Sequence, residues 1–256
     1  MGIVLDECEW AKNAITTKDM GKKPLETLTR VAKYYYSCGY DEENVLRLLE
    51  LFVAQCNPNT PIIRWEDTLD RVVKFAPKYS IIKIDKVDVS KSELEVIDKL
   101  KGRQLKRLAF ALLCVAKYWD LMSSSNNHWV NSDDREIMQM ANINTSIRRQ
   151  SEMYAELRRL GLIKFSKKVD NLNVQVLFTD NDSPTAMEIR DYRNLGYQYL
   201  RRCGYPYFVC ANCGITVKCN NPNKGRKQKY CPSCANELHT RQKVDAVMRK
   251  RDMSKK

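Results

Sequence analysis

Long hydrophobic runs are missing from this sequence. Its longest uninterrupted apolar stretch, Leu108–Ala116, has nine residues, against the ~20 that a spanning helix needs. No membrane partner is therefore expected. Met1–Asp6 has no positively charged segment leading into an apolar core, so no export signal is read there and the expected location is the cytoplasm. Phosphate-loop chemistry is also missing, because no GxxxxGK[ST] pattern occurs. Neither of the two histidines stands in the H-x-E arrangement of a zinc deaminase. Acidic side chains are scarce towards the end of the chain: Glu237 is the only one between Gly204 and Val244. A general acid or base beside a metal is correspondingly hard to place there.

What is present describes a globular, basic protein. Hydrophobic residues make up 43% of 256, enough for two or three modest domains. The formal charge is +13, and it is unevenly placed. Residues 201–256 hold 14 Lys/Arg against 3 Asp/Glu, whereas the first 200 hold 30 against 28. Such a basic tail fits a polyanion partner.

The ten cysteines are distributed in the same uneven way. Cys8, Cys38, Cys56 and Cys114 stand singly in helical sequence and read as small buried hydrophobes. The other six crowd into residues 203–234. Among them Cys210-x-x-Cys213 and Cys231-x-x-Cys234 are separated by seventeen residues. That spacing is the template of a structural zinc site, since a CxxC turn supplies two thiolates and two such turns complete a tetrahedron. The expected ligands are Cys210, Cys213, Cys231 and Cys234. Cys219 is the better substitute for one of them, and His239 the poorer. Four thiolates close the coordination shell, so the expected role of Zn2+ is structural and no catalytic residue is assigned.

The expected fold is mainly α, in four parts. Residues 1–89 form a helical domain. Pro24 opens a helix that stops at Gly39, Asp41 caps the next, and a third runs over roughly Trp65–Ala76. Tyr34-Tyr35-Tyr36 is read there as packing material. Residues 90–182 read as a winged helix-turn-helix. The capping box Ser90-x-x-Glu93 is followed by an apolar helix over Arg103–Leu121 and a short strand at Trp129-Val130. A helix over Asp133–Ala141, capped by Asn131 or Ser132, is followed by another over Thr145–Leu160. Two β-prone runs, Leu162–Phe165 and Asn173–Phe178, complete the order. Residues 183–206 form a connector that interleaves tyrosine and arginine. Residues 207–256 form a treble-clef or zinc-ribbon finger, with hairpin strands at Ile215–Lys218 and Gln228–Tyr230 and a basic helix starting at the second cysteine pair.

Candidate nucleic-acid contacts follow from this order. Arg148 and Arg149 lie near the start of the second helix of the helix-turn-helix, and Lys167 and Lys168 in the wing. Arg226, Lys227, Lys229, Arg241, Arg249, Lys250 and Arg251 surround or follow the cysteines. Ion pairing of the arginines with Glu152 and Glu156 on a solvated face is the competing reading.

Two resemblances add to these expectations. The helix, the turn Cys38–Glu43, a second helix and a third led by Trp65-Glu66 and ending at Lys78-Tyr79 resemble the small helical domain that follows the catalytic part of some phage and plasmid primases. Lys106–Tyr118, Asn127–Asn131, Gly161–Asn173 and Cys210-x-x-Cys-Gly-Ile215 are similar to a group of phage and prophage proteins of low-GC Gram-positive bacteria. The second resemblance implies a mobile-element protein working in a bacterial host cell, and carries no activity with it. The expected protein is non-enzymatic and binds nucleic acid, DNA in preference to RNA. The alternative is an inhibitor or adaptor whose partner is a host protein or ribonucleoprotein.

Overall fold

A computed structural model describes residues 3–167, 173–220 and 228–253, with side chains through residue 248. Among the described residues helices dominate, and the strands are short and lie in three small sheets. No helix among the described residues is long and apolar enough to cross a membrane. The chain divides into two compact units, Met1–Lys86 and Val87–Lys256.

The first unit is built from α1 (Glu7–Thr17), α2 (Pro24–Ser37), α3 (Glu42–Cys56) and α4 (Glu66–Phe75), the last entered and left through 3-10 turns. Helix starts follow local chemistry. The Asp6 carboxylate accepts from Glu9 N at 2.8 Å and the Asp41 carboxylate from Asn44 N at 2.9 Å, satisfying amides that a first turn leaves open. Leu28, Val31, Val45, Leu49, Leu69 and Val72 form the core, with Tyr34, Tyr35 and Tyr36 packed on its edge. The three tyrosines thus pack as the sequence reading has them. Buried Glu7 is held by Lys33 and by the Ile82 amide at 2.9 Å.

The second unit is organised around α6 (Arg103–Met122), buried continuously from Leu108 to Tyr118. The unbroken apolar run of the sequence is therefore a core helix, covered on every side. β1 (Val87–Ser90) leads through the Ser90–Glu93 capping box into α5 (Lys91–Asp98). β1 pairs antiparallel with β5 (Thr185–Ile189). Glu93 has no exposure, yet its carboxylate accepts from Lys117 Nζ at 2.7 and 2.8 Å, Ser90 N at 2.7 Å and Asp180 N at 2.8 Å. A buried carboxylate needs such saturation to be tolerated. Ser90 Oγ accepts from Glu93 N, so Ser90→Ala should lower unfolding free energy by about 1 kcal/mol in a denaturant titration. An unchanged midpoint would show that the cap contributes nothing.

After α6 come β2 (Trp129–Val130), α7 (Asp134–Met140), α8 (Ile147–Arg159), β3 (Ile163–Phe165) and β4 (Val174–Val176), with sheet order β2-β4-β3. The cap of α7 is Asp133, which accepts from Arg135 N at 2.7 Å, and not Asn131 or Ser132. Those two are engaged elsewhere: Asn131 donates to Asn126 Oδ1, and Ser132 Oγ accepts from Trp119 Nε1. Asp120 fixes the turn before β2, accepting from His128 N at 2.8 Å and pairing with His128 Nδ1 at 2.6 Å. α9 (Leu195–Arg202) packs on α6, and the chain then enters β6 (Tyr207–Val209), β7 (Thr216–Lys218) and α10 (Pro232–Met253).

Candidate metal centre

Cys210 directly follows β6, and residues 211–215 turn the chain back into β7. Cys210 N donates to Ile215 O at 2.9 Å and Gly214 N to Cys210 O at 3.0 Å. Gly214 takes φ +74°, a conformation in which a side chain would be strained. β6 and β7 pair in the register Tyr207↔Lys218, Phe208↔Val217 and Val209↔Thr216. The hairpin therefore flanks the first CxxC turn. The expectation of strands at Ile215–Lys218 and Gln228–Tyr230 is half met: the first is β7, but its partner is β6. The second segment stays irregular and joins the first turn through Ala211 N donating to Lys229 O at 2.9 Å. Pro232 opens α10, which puts Cys234 in its first turn. Proline suits that position because its missing N–H would have no helical partner there.

These elements bring together Cys210, Cys213, Cys231 and Cys234, whose sulfurs lie within 4.8 Å of one another. Cys213 Sγ and Cys231 Sγ are 3.8 Å apart. A tetrahedral ion bound at the zinc–sulfur length of ~2.3 Å places its ligand sulfurs ~3.8 Å apart. The donor set and its spacing thus fit a metal ion. Cys219 and His239 are not in the group, and His239 is exposed.

Hydrogen bonds tie the two pairs to each other. Cys231 N donates to Cys210 Sγ at 3.2 Å and Asn212 Nδ2 to Cys234 Sγ at 3.3 Å. Burial acts to raise the Cys210 thiol, but the amides of Cys231, Cys213 and Asn212 outweigh it and bring the thiol down to about 6. Cys213 is raised, chiefly by burial. Asn212 works to lower Cys234, yet burial and the three neighbouring cysteines push it up to about 12. Four thiols this close cannot all ionise without a cation among them.

The centre is anchored to the rest of its unit by the residues just before α9. Arg193 donates to Cys213 O at 2.6 Å while its guanidinium grips Asp191 at 2.8–3.0 Å. Asn194 Nδ2 donates to Thr216 O at 2.9 Å. Asn194 and Asn142 both have left-handed backbones, and Asn142 Nδ2 donates to Asn194 Oδ1 at 2.7 Å. Gly196 allows the close approach: a Cβ there would lie 2.0 Å from Ala141 O. Sequence reasoning missed Arg193 and Asn194 as supports. They lie about twenty residues upstream of their partners, and no local pattern marks them.

Comparison with family models, with curated proteins and with solved structures finds no match to this chain.

The candidate nucleic-acid residues are dispersed. Arg148 and Arg149 are exposed on the first turn of α8, and both pair with Glu152, at 3.3 and 3.0 Å. Intrahelical pairing is thus realised. Lys167, Lys229 and Arg241 are exposed. Lys168, Arg226 and Lys227 lie outside the described residues, as do the side chains of Arg249, Lys250 and Arg251. Between α8 and the β2-β4-β3 sheet is a cleft of about 500 Å³ lined by Asp134, Tyr154, Arg158 and Phe165 among others. Tyr154 donates to Asp134 at 3.0 Å, and burial raises its hydroxyl far above the ordinary range.

Proposed function

We propose that this is a non-enzymatic nucleic-acid-binding protein of a phage or mobile element, with a winged-helix segment at α7–α8–β3–β4 and a finger held by structural zinc. The observation that carries the reading is the net positive charge of residues 201–256, the same stretch of sequence that holds the four clustered cysteines. The helix–turn–helix order followed by a small antiparallel sheet supports the winged-helix part. Four thiolates would fill a zinc ion's coordination shell and leave no site for substrate or water, which supports a structural role. Phosphate contacts would supply affinity, and no residue is assigned to base readout. DNA is favoured over RNA because α8 is exposed on its first turn, as a helix entering a major groove must be. The mobile-element origin rests on the sequence resemblances alone.

Fluorescence anisotropy with labelled duplex and single-stranded oligonucleotides tests the reading. With about four phosphate contacts, affinity should fall roughly a hundredfold between ~50 and ~200 mM salt. Lys229→Gln combined with Arg241→Gln should reduce the steepness of that dependence by about two contacts. Absence of binding at low salt would overturn the proposal.

A further inference from the structure

Contacts, strand register and helix spacing bring six side chains of the second unit into one neighbourhood, from α6, α9, the turn after α9 and the cysteine hairpin. On α6, the Arg103 guanidinium lies over the Tyr205 ring, 5.6 Å from its centroid. Tyr205 is 39% exposed, in the turn between α9 and β6. Two residues on, Tyr207 opens β6 and stacks with Tyr197 of α9, centroids 4.7 Å apart and planes tilted by 33°. Lys218 is the register partner of Tyr207 on β7. Arg201 stands one helical turn from Tyr197 on the same face of α9. Both Lys218 and Arg201 are exposed.

The rest of the connector separates these residues from ordinary structure. Tyr192 and Tyr199 are buried, the first donating to Cys114 O at 2.6 Å and the second to Asp98 at 2.5 Å. Arg190 pairs with Glu188, Arg193 with Asp191 and Arg202 with Asp98. Arg103, Arg201 and Lys218 have no carboxylate partner among the described residues. What is left is three cations interleaved with three accessible or half-buried tyrosines.

From this arrangement we infer that the surface is a binding site for single-stranded nucleic acid, with bases stacking on Tyr205 and the Tyr197–Tyr207 pair and phosphates held by Arg103, Arg201 and Lys218. The inference rests on the proposed function and gives it a substrate class. Duplex fits this surface poorly, because its bases are already stacked and offer no free face to a tyrosine, whereas a single strand offers one per nucleotide. Charge complementarity selects the same occupant, since the three cations lie beside rings with no carboxylate among them to recognise a basic partner.

The test compares a labelled oligothymidylate with a duplex of equal length, using the full-length protein. Tyr205→Ala should weaken oligothymidylate binding about tenfold, while Tyr205→Phe, which keeps the ring, should bind as the wild type does. Duplex affinity should change less than about twofold in both variants, because phosphate contacts elsewhere would carry it. Tyr205 holds its turn through backbone bonds, its amide donating to Leu200 O and its carbonyl accepting from Tyr207 N. Unchanged circular dichroism and metal content would confirm that both variants fold. Equal oligothymidylate binding by wild type and Tyr205→Ala would overturn the inference, as would a wild type that binds duplex alone. In both cases the proposed function stands. A wild type that binds neither oligonucleotide at low salt removes the proposed function and this site together.

Discussion

A Cys231→Ser protein will hold its metal about a hundredfold or more less tightly than the wild type, and its cysteine hairpin will lose order. Structural zinc contributes on the order of 10–16 kcal/mol where four ligands are fixed. Losing one of four therefore removes several kcal/mol, and a serine hydroxyl does not ionise to replace the thiolate. The apolar packing at the centre itself is small. Among the described residues its apolar cluster is the cysteines themselves, with Ile215 and Val217 packed against them. Metal content per chain by mass spectrometry, together with limited proteolysis, reads the result: metal lost and new cleavage after residue 206, with the α6 core intact. A variant with unchanged metal and unchanged protease resistance would refute the metal centre. The pH dependence has a definite sign. Metal must displace protons from Cys213 and Cys234, whose thiols are raised, so affinity should drop as pH falls.

Gly196→Ala should cost about 3 kcal/mol or more, the upper end of overpacking penalties. Its added methyl would stand 2.0 Å from Ala141 O and 2.6 Å from the carbonyl carbon. Both are backbone atoms, so no rotamer change relieves the clash and α9 itself must move. Moving α9 disturbs Asn194, which reaches Asn142 and Thr216, and Tyr197, whose amide donates to Asn142 Oδ1 at 3.1 Å. A fall in melting temperature of roughly 6–12 °C is expected by calorimetry. A shift below about 2 °C would mean that α9 and α7 are not so closely packed.

The residues legible in the sequence were those whose chemistry is local. Ser90 and Glu93 announce a capping box because the two partners are three residues apart, and they form one. The two CxxC pairs carry their own spacing, and the four sulfurs do converge. Leu108–Ala116 sits within a Gly- and Pro-free stretch long enough for a helix, and it forms one. The features that escaped depend on distant partners. β1 has four residues and finds β5 nearly a hundred residues later, too short a run to show alternation. Tyr207–Val209 was passed over as the hairpin's first strand, because the turn between the strands is the cysteine knuckle itself and not a Gly/Asn loop. Of the interleaved tyrosines and arginines in the connector, the sequence could not separate Tyr192 and Tyr199, which are buried, from Tyr197, which meets Tyr207 across a turn.

The pairing of β1 with β5 has a consequence for synthesis. The first unit is a compact body formed by the first 86 residues, so it can condense once that length has left the ribosome. The second unit begins with a strand whose partner is made about a hundred residues later, and the buried carboxylate of Glu93 lacks its Asp180 amide for almost as long. Long-range pairings of this kind close slowly and leave apolar surface open meanwhile. α6, which holds the chain's longest apolar run, is therefore the part most in need of protection while translation is unfinished.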